Sequence, residues 1–206
     1  YFCLSRGLGD VYKRQNAELE GLKKLRTGSL LLILAPILIS VGVFSGLLGT
    51  GLFFSGNVIA GAGVSSLGAL TLVGVIMLIG AIYMFMKGFS ILRDVSPEIG
   101  IGRTGSMLIL VAAIIWFLAL LGLIGAAAAR SLTGVVGLAF LFPLGALLYF
   151  VGIILTAIGF YRVGSKYDEG LVKIGGILLI FGSLAFIGSI LNFIGLGSII
   201  RKKFGQ

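Results

Sequence analysis

The side chains able to do chemistry are few, and they sit in short polar segments. Four carboxylates form two pairs, Asp94 with Glu98 and Asp168 with Glu169. Paired acids can run general acid–base catalysis or hold a divalent cation. Nothing in their spacing fixes one against another, and the neighbouring Arg93, Arg103, Lys166 and Lys173 account for them as solvated ion-pair partners. A second signature, GIGRTG at 100–105, fits the GxGxxG pattern of a dinucleotide-binding turn. That turn needs a strand before it and an acid about 20 residues after it. Pro97 and Glu98 precede it and an uncharged run follows, so a nucleotide role is set aside. Arg26-Thr27 and Arg103-Thr104 each open an apolar run. Free N–H groups at a helix start beside an arginine can hold a lipid phosphate; the plainer reading is a Thr cap with an interfacial Arg. Arg26, Thr27, Arg103 and Thr104 are thus candidate lipid-headgroup contacts.

The chain has no His, and its single Cys is Cys3. That removes imidazole and thiolate chemistry and most zinc or haem ligand sets, so no cofactor and no metal is expected. No ionisable residue falls deep within an apolar run, where proton- and ion-coupled transporters usually keep one. For want of catalytic side chains the chain is expected not to be an enzyme. The uncharged Asn192, Thr156 and Ser183 remain as intramembrane polar contacts, which could bond between helices or line a water-filled path.

The elements that carry these residues are set by where charge is missing. Residues 27–86, 104–129, 131–161 and 174–200 hold no charged residue, in a chain that is 58% hydrophobic and 11% charged, with a mean hydropathy of +1.18. A span needs about 20 apolar residues, so the longest run holds two and each of the others one. The predicted fold is an all-α, multi-pass transmembrane bundle, with spans near 30–52, 63–86, 105–127, 138–161 and 174–200. Continuous apolar runs favour helices over a barrel, whose strands alternate. The formal charge of +9 sits at helix ends, where anionic headgroups and the positive-inside rule explain it without nucleic acid.

Residues 1–15 (YFCLSRGLGDVYKRQ) begin with Tyr and resemble a translated sequencing adapter, and they are set aside from the fold. An open start of this kind leaves the C-terminus expected to be incomplete too. Residues 16–27 read as an amphipathic interfacial lead, with Leu19, Leu22 and Leu25 on one face and Glu20 four residues before Lys24. The transmembrane domain follows over 28–206. RTGSLLL at 26–32 returns as RTGSMLI at 103–109, and EGLKKL at 20–25 as EGLVKI at 169–174. The pattern predicts two hairpin units and a third that stops after one span, a 2+2+1 repeat lacking a sixth span.

Counting Lys and Arg sets the topology. Lys23, Lys24, Arg26, Lys87, Arg93, Arg103, Arg162, Lys166 and Lys173 fall on one side, assigned to the cytoplasm with the N-terminus. Arg130, Arg201, Lys202 and Lys203 fall on the other. The tail trio is placed outside in preference to a last span that breaks near Asn192, Gly195 and Gly197 and turns back. Small residues recur every seven: Gly28, Ala35, Gly42, Gly49; Gly105, Ala112, Ala119, Ala126; Gly145, Gly152, Gly159; Gly175, Gly182, Ser189. Two helical turns return a position to the same face, so these stripes are read as close-packing seams rather than a pore lining. Pro36 and Pro143 are expected to kink their spans.

The segments AELEGLKKLRTGSLLLIL (17–34) and FYRVGSKYDEGLVKIGGILLIF (160–181) resemble the archaeal membrane family catalogued as domain of unknown function 973. The likeness spans roughly 17–200 and is strongest over KYDEGLVKIGGIL (166–178). It implies a multi-pass archaeal membrane protein and carries over no activity and no site residue.

The function expected is that of a non-enzymatic packing or partner-binding subunit of the cell membrane. The alternative is a passive channel or permease for ions or small solutes, and a lipid-modifying enzyme comes last. The partners expected are the lipid bilayer and a homo-oligomer or other membrane protein, with no nucleic acid.

Overall fold

The computed structural model describes residues 2–54, 59–128 and 140–205, with side chains over 11–43, 70–119, 122 and 140–205. Every described element is helical: α1 (Phe2–Phe54), α2 (Ile59–Val95), a 3-10 turn (Pro97–Gly100), α3 (Ile101–Ala128), α4 (Leu141–Lys166), α5 (Gly170–Leu178), a second 3-10 turn (Gly182–Leu184) and α6 (Ala185–Phe204). Five stretches are long and apolar enough to cross a membrane: Val11–Val43, Leu70–Val95, Pro97–Ala119, Leu141–Lys166 and Gly182–Phe204. An all-α multi-pass bundle is therefore the architecture.

The helices pair as three hairpins, α1 with α2, α3 with α4 and α5 with α6. Each seam closes on small residues. A Cβ on Gly28 would lie 2.7 Å from Phe85, and one on Gly74 would lie 3.1 Å from the Ala35 carbonyl. On Gly152 it would lie 2.9 Å from the Gly105 carbonyl, and on Gly188 2.7 Å from the Gly175 carbonyl. Backbones this close gain dispersion contact that longer side chains would hold apart. The heptad stripes are the buried faces: Gly28, Ala35, Gly42, Gly105, Ala112, Ala119, Gly145, Gly152, Gly159, Gly175 and Ser189 are all buried. Gly49 and Ala126 lie outside the described side chains, and Gly182 breaks the pattern by being exposed. In both RTGS segments the Gly and Ser turn inward. Ser29 and Ser106 are buried and donate to the Leu25 and Gly102 carbonyls at 3.0 and 2.9 Å.

The hairpins converge on one apolar core at one end of the bundle. Leu22 and Leu25 of α1 meet Phe89 and Leu92 of α2, Phe160 and Val163 of α4, Val172 of α5 and Leu196 of α6. Phe160 sits at its centre, edge-to-face with Phe85 and with Phe89, both at 5.2 Å. Such pairs add about 1 kcal/mol beyond their area.

Three expectations need correction. The lead at 16–27 is not a separate helix; it is part of α1, continuous with the span. Its leucine stripe has a protein partner, since Leu22 and Leu25 are fully buried, and no residue there breaks the helix. The single span at 174–200 is also replaced. Helix α5 stops at Leu178, Phe181 takes an extended backbone (φ −88°, ψ 100°) and its carbonyl accepts from Leu184 N–H at 2.7 Å, and α6 returns beside α5. At nine residues α5 is about 14 Å long, roughly half the apolar thickness of a bilayer. Finally, Pro143 is the third residue of α4, in the first turn where no intrahelical bond is lost, so it starts the helix rather than bending it.

The returning hairpin brings Arg201, Lys202 and Lys203 to the end of the bundle that carries the other basic residues. Lys202 lies 2.9 Å from Glu169 and Lys203 2.8 Å from Glu18. The nine cations assigned to that face become twelve, and the conflict with the positive-inside rule disappears. The tail therefore lies at the end of the bundle that holds Glu18 and the α4–α5 turn, where a straight last span would have put it at the opposite end. The break lies at 179–184, upstream of Asn192.

Candidate functional site

The polar groups gather where the α4–α5 turn and the end of α6 meet Glu18 of α1. Helix α4 closes with a Schellman motif: Asp168 N–H bonds the Ser165 carbonyl at 3.4 Å and Glu169 N–H bonds the Gly164 carbonyl at 2.9 Å. Asp168 supplies the left-handed residue, φ 49°, a conformation that Asp tolerates better than most side chains. The motif sets Glu169 at the N-cap of α5 without a side-chain cap. Its carboxylate turns instead to α6, accepting from Lys202 Nζ at 2.9 Å and Ser198 Oγ at 3.2 Å.

Glu18 is the second buried acid. It accepts from Lys203 Nζ at 2.8 Å, Tyr167 OH at 2.7 Å and Lys166 Nζ at 3.0 Å. Burial alone would raise its pKa, but the hydrogen bonds from Lys203, Tyr167 and Lys166 outweigh that and hold the carboxyl below its usual value. Tyr167 responds in the opposite sense. Burial first, then the adjacent Glu18 carboxylate, push its phenol well above the ordinary range, so it stays a donor. Two acids with residue exposures of 7% and 8% therefore fasten α6 to α1, α4 and α5. No sequence pattern foretold this cluster, because Glu18 and Lys203 are 185 positions apart.

The sequence-derived candidates fall in separate places. Arg26 is half-buried with its guanidinium 4.7 Å from the Phe193 ring centroid, and its Nε has no hydrogen-bond partner. It braces α1 against α6. Thr27 is exposed and donates back to the Lys23 carbonyl at 3.0 Å; continuous with the helix, it caps nothing. Arg103 is half-exposed in the first turn of α3, and Thr104 beside it is exposed. Thr156 is buried, faces Gly105 and donates to the Gly152 carbonyl at 2.9 Å. Asn192 is buried opposite Gly175, and neither Nδ2 nor Oδ1 has a partner. Ser183 is exposed on the α5–α6 turn. Thr156, Asn192 and Ser183 thus face a seam, a different seam and the surface, and they share no common lining.

The remaining acids also stand apart. Asp94 pairs with Arg93 at 3.8 Å and Asp168 with Lys173 at 3.4 Å, while the Glu98 carbonyl accepts from Arg162. Among the described residues no three His, Cys, Asp or Glu side chains group closely enough to hold a metal ion. Within GIGRTG, Gly102 packs on Phe89 and Gly105 on Thr156, so its glycines serve helix contact.

No curated protein and no solved structure matches the chain. A family model covers residues 18–205, which takes in the buried Glu18, both RTGS segments, all three hairpins and the basic tail. On that match the chain belongs to the family described as Protein of unknown function (DUF973).

Proposed function

We propose that this multi-pass membrane protein is a non-enzymatic subunit that works by helix packing and partner binding, as a homo-oligomer or with another membrane protein. It sits in an archaeal cell membrane with its N-terminus in the cytoplasm. The observation that supports the reading best is the closure of the hairpin seams by glycine-to-backbone contact, with Thr156, Asn192 and Ser183 on separate surfaces. Glu18, Glu20, Asp168 and Glu169 pair with lysines and Asp94 with Arg93, and the two buried acids serve to fasten helices. The basic face supports the cytoplasmic assignment through the positive-inside rule.

A passive channel is the second reading, and one feature favours it: the buried Asn192 amide leaves both its polar atoms without a partner, as an amide awaiting water would. Flux of ions and small solutes through proteoliposomes separates the two. The subunit reading expects no conductance from the wild type or from Asn192→Leu. Conductance that Asn192→Leu abolishes would replace it with the channel.

A further inference from the structure

We propose that the cleft between the α4–α5 turn and the end of α6 is a binding site for a phosphate-bearing lipid headgroup. Tyr167, Ile199, Lys202 and Lys203 line this cleft, which encloses about 310 Å³. That volume admits a phosphate with part of its glycerol. Its lining is mixed in the way an amphiphile needs, two ammonium groups beside the Tyr167 ring and the largely buried Ile199.

The lysines are held rather than free. Each ammonium has three donors, and Lys202 and Lys203 each direct one to a buried carboxylate. The remaining donors stay available, since the two side chains keep 72% and 41% of their exposure. Tyr167 adds a face for Lys203 at 4.9 Å, while its hydroxyl is committed to Glu18. Anchoring removes much of the rotamer entropy that a flexible lysine loses on binding. The acids lie beneath the cleft, and neither lines it. Lys166, Lys173, Arg201, Lys202 and Lys203 outnumber Glu18, Asp168 and Glu169 around this turn and tail, so the local field favours an anion. The end of α6 also shares its end of the bundle with Lys166 and the α4–α5 turn, and basic residues at helix ends are those that anionic headgroups attract. This site differs from the Arg-Thr pairs at 26–27 and 103–104 and is independent of the subunit-or-channel question.

The test counts lipids retained by the full chain in native mass spectrometry from micelles doped with phosphatidylglycerol or phosphatidylcholine, with free glycerol phosphate as competitor. The wild type should retain phosphatidylglycerol at least roughly tenfold better than phosphatidylcholine. Lys202→Gln with Lys203→Gln should lose that preference, Lys202→Arg with Lys203→Arg should keep it, and Lys87→Gln with Arg93→Gln, at the same face but off the cleft, should keep it. Displacement by glycerol phosphate at low concentration would support the phosphate chemistry and name a soluble source. Equal retention of the two lipids, or equal loss in the Lys87/Arg93 control, would overturn the site and leave only diffuse leaflet charge. Size-exclusion profiles matching the wild type show that the Gln pair is folded; if it is not, the Arg pair decides, since losing the preference there overturns the site and keeping it supports the site.

Discussion

Glu18 Oε2 lies 2.8 Å from Lys203 Nζ, joining α1 to the last turn of α6. The same carboxylate holds Lys166 and Tyr167, so one side chain ties three parts of the chain together. Glu18→Gln keeps the shape and removes the charge. It should destabilise the protein by about 1–3 kcal/mol, the usual cost of hydrogen bonds to an ionised group. Thermal unfolding in detergent at neutral pH checks this, and an unchanged transition would show that the cluster is ornamental.

The pH dependence has a fixed sign. The Glu18 carboxyl is held below its reference value of 4.5, so the unfolded chain takes up a proton before the folded one does. Its stabilisation is fully present above that value and fades as the pH falls through the lowered folded pKa. Wild-type stability should therefore drop on acidification below about 4.5, and Glu18→Gln should flatten that limb. Melting curves across pH 3–7, about the range in which carboxylates titrate, compare the two. Parallel curves would assign the acid limb to other groups.

The α3–α4 seam should reject a branched side chain. A Cβ on Gly105 would run into the Thr156 N–H and the Gly152 carbonyl, both backbone groups. Gly105→Val should cost about 1–3 kcal/mol through overpacking, or more if the hairpin must separate. Gly80 offers a matched control, since its nearest neighbour would be Leu31 at 3.6 Å; Gly80→Ala should be neutral or slightly stabilising. A size-exclusion and thermal-aggregation series would expose a loose seam if both variants behaved alike.

Asn192→Leu should stabilise the α5–α6 hairpin by about 1 kcal/mol. Leu has the same branching at Cγ, and it removes two buried polar atoms that no group satisfies. Calorimetry or a thermal-shift assay suffices. Destabilisation would mean that Asn192 has a partner, water included, in the native membrane.

The side of the tail is directly measurable. With Cys3 replaced by Ser, single cysteines at Asn16 and Gly205, both exposed, should react with an impermeant maleimide from the same face of sealed vesicles. Labelling from opposite faces would restore a fully crossing last span.

The four long helices were legible because charge is absent from 27–86, 104–129 and 131–161, lipid does not admit an unpaired charge cheaply, and the first of these runs is long enough for two spans. The seams were legible because close helix contact needs small residues at one face. The last hairpin was not, since Leu179–Leu184 carries no Pro and no charge to mark a turn. Two hints were present. Gly182 continued a stripe whose other members are buried, and the Arg201–Lys203 trio sat on the wrong side of a straight span. The rim cluster was invisible because it depends on that turn: Glu18 and Glu169 meet the tail lysines only once α6 has come back. Glu18 falls within the lead at 16–27, where nothing in the sequence sets it apart, and burial makes it a tertiary contact.

The return of α6 bears on how the chain is installed. Residues 27–86 and 104–161 contain a single charged residue, Arg130. Carrying the two long hairpins across the bilayer therefore asks the insertion machinery to move one charge. In the orientation proposed above the α5–α6 pair adds none, since Asp168, Glu169, Lys173 and the tail cations lie at the end assigned to the cytoplasm. Each hairpin can be laid in as a unit from the side of synthesis, and the last one can settle after the others, when Glu18 and the α4–α5 turn are already in place to receive its lysines.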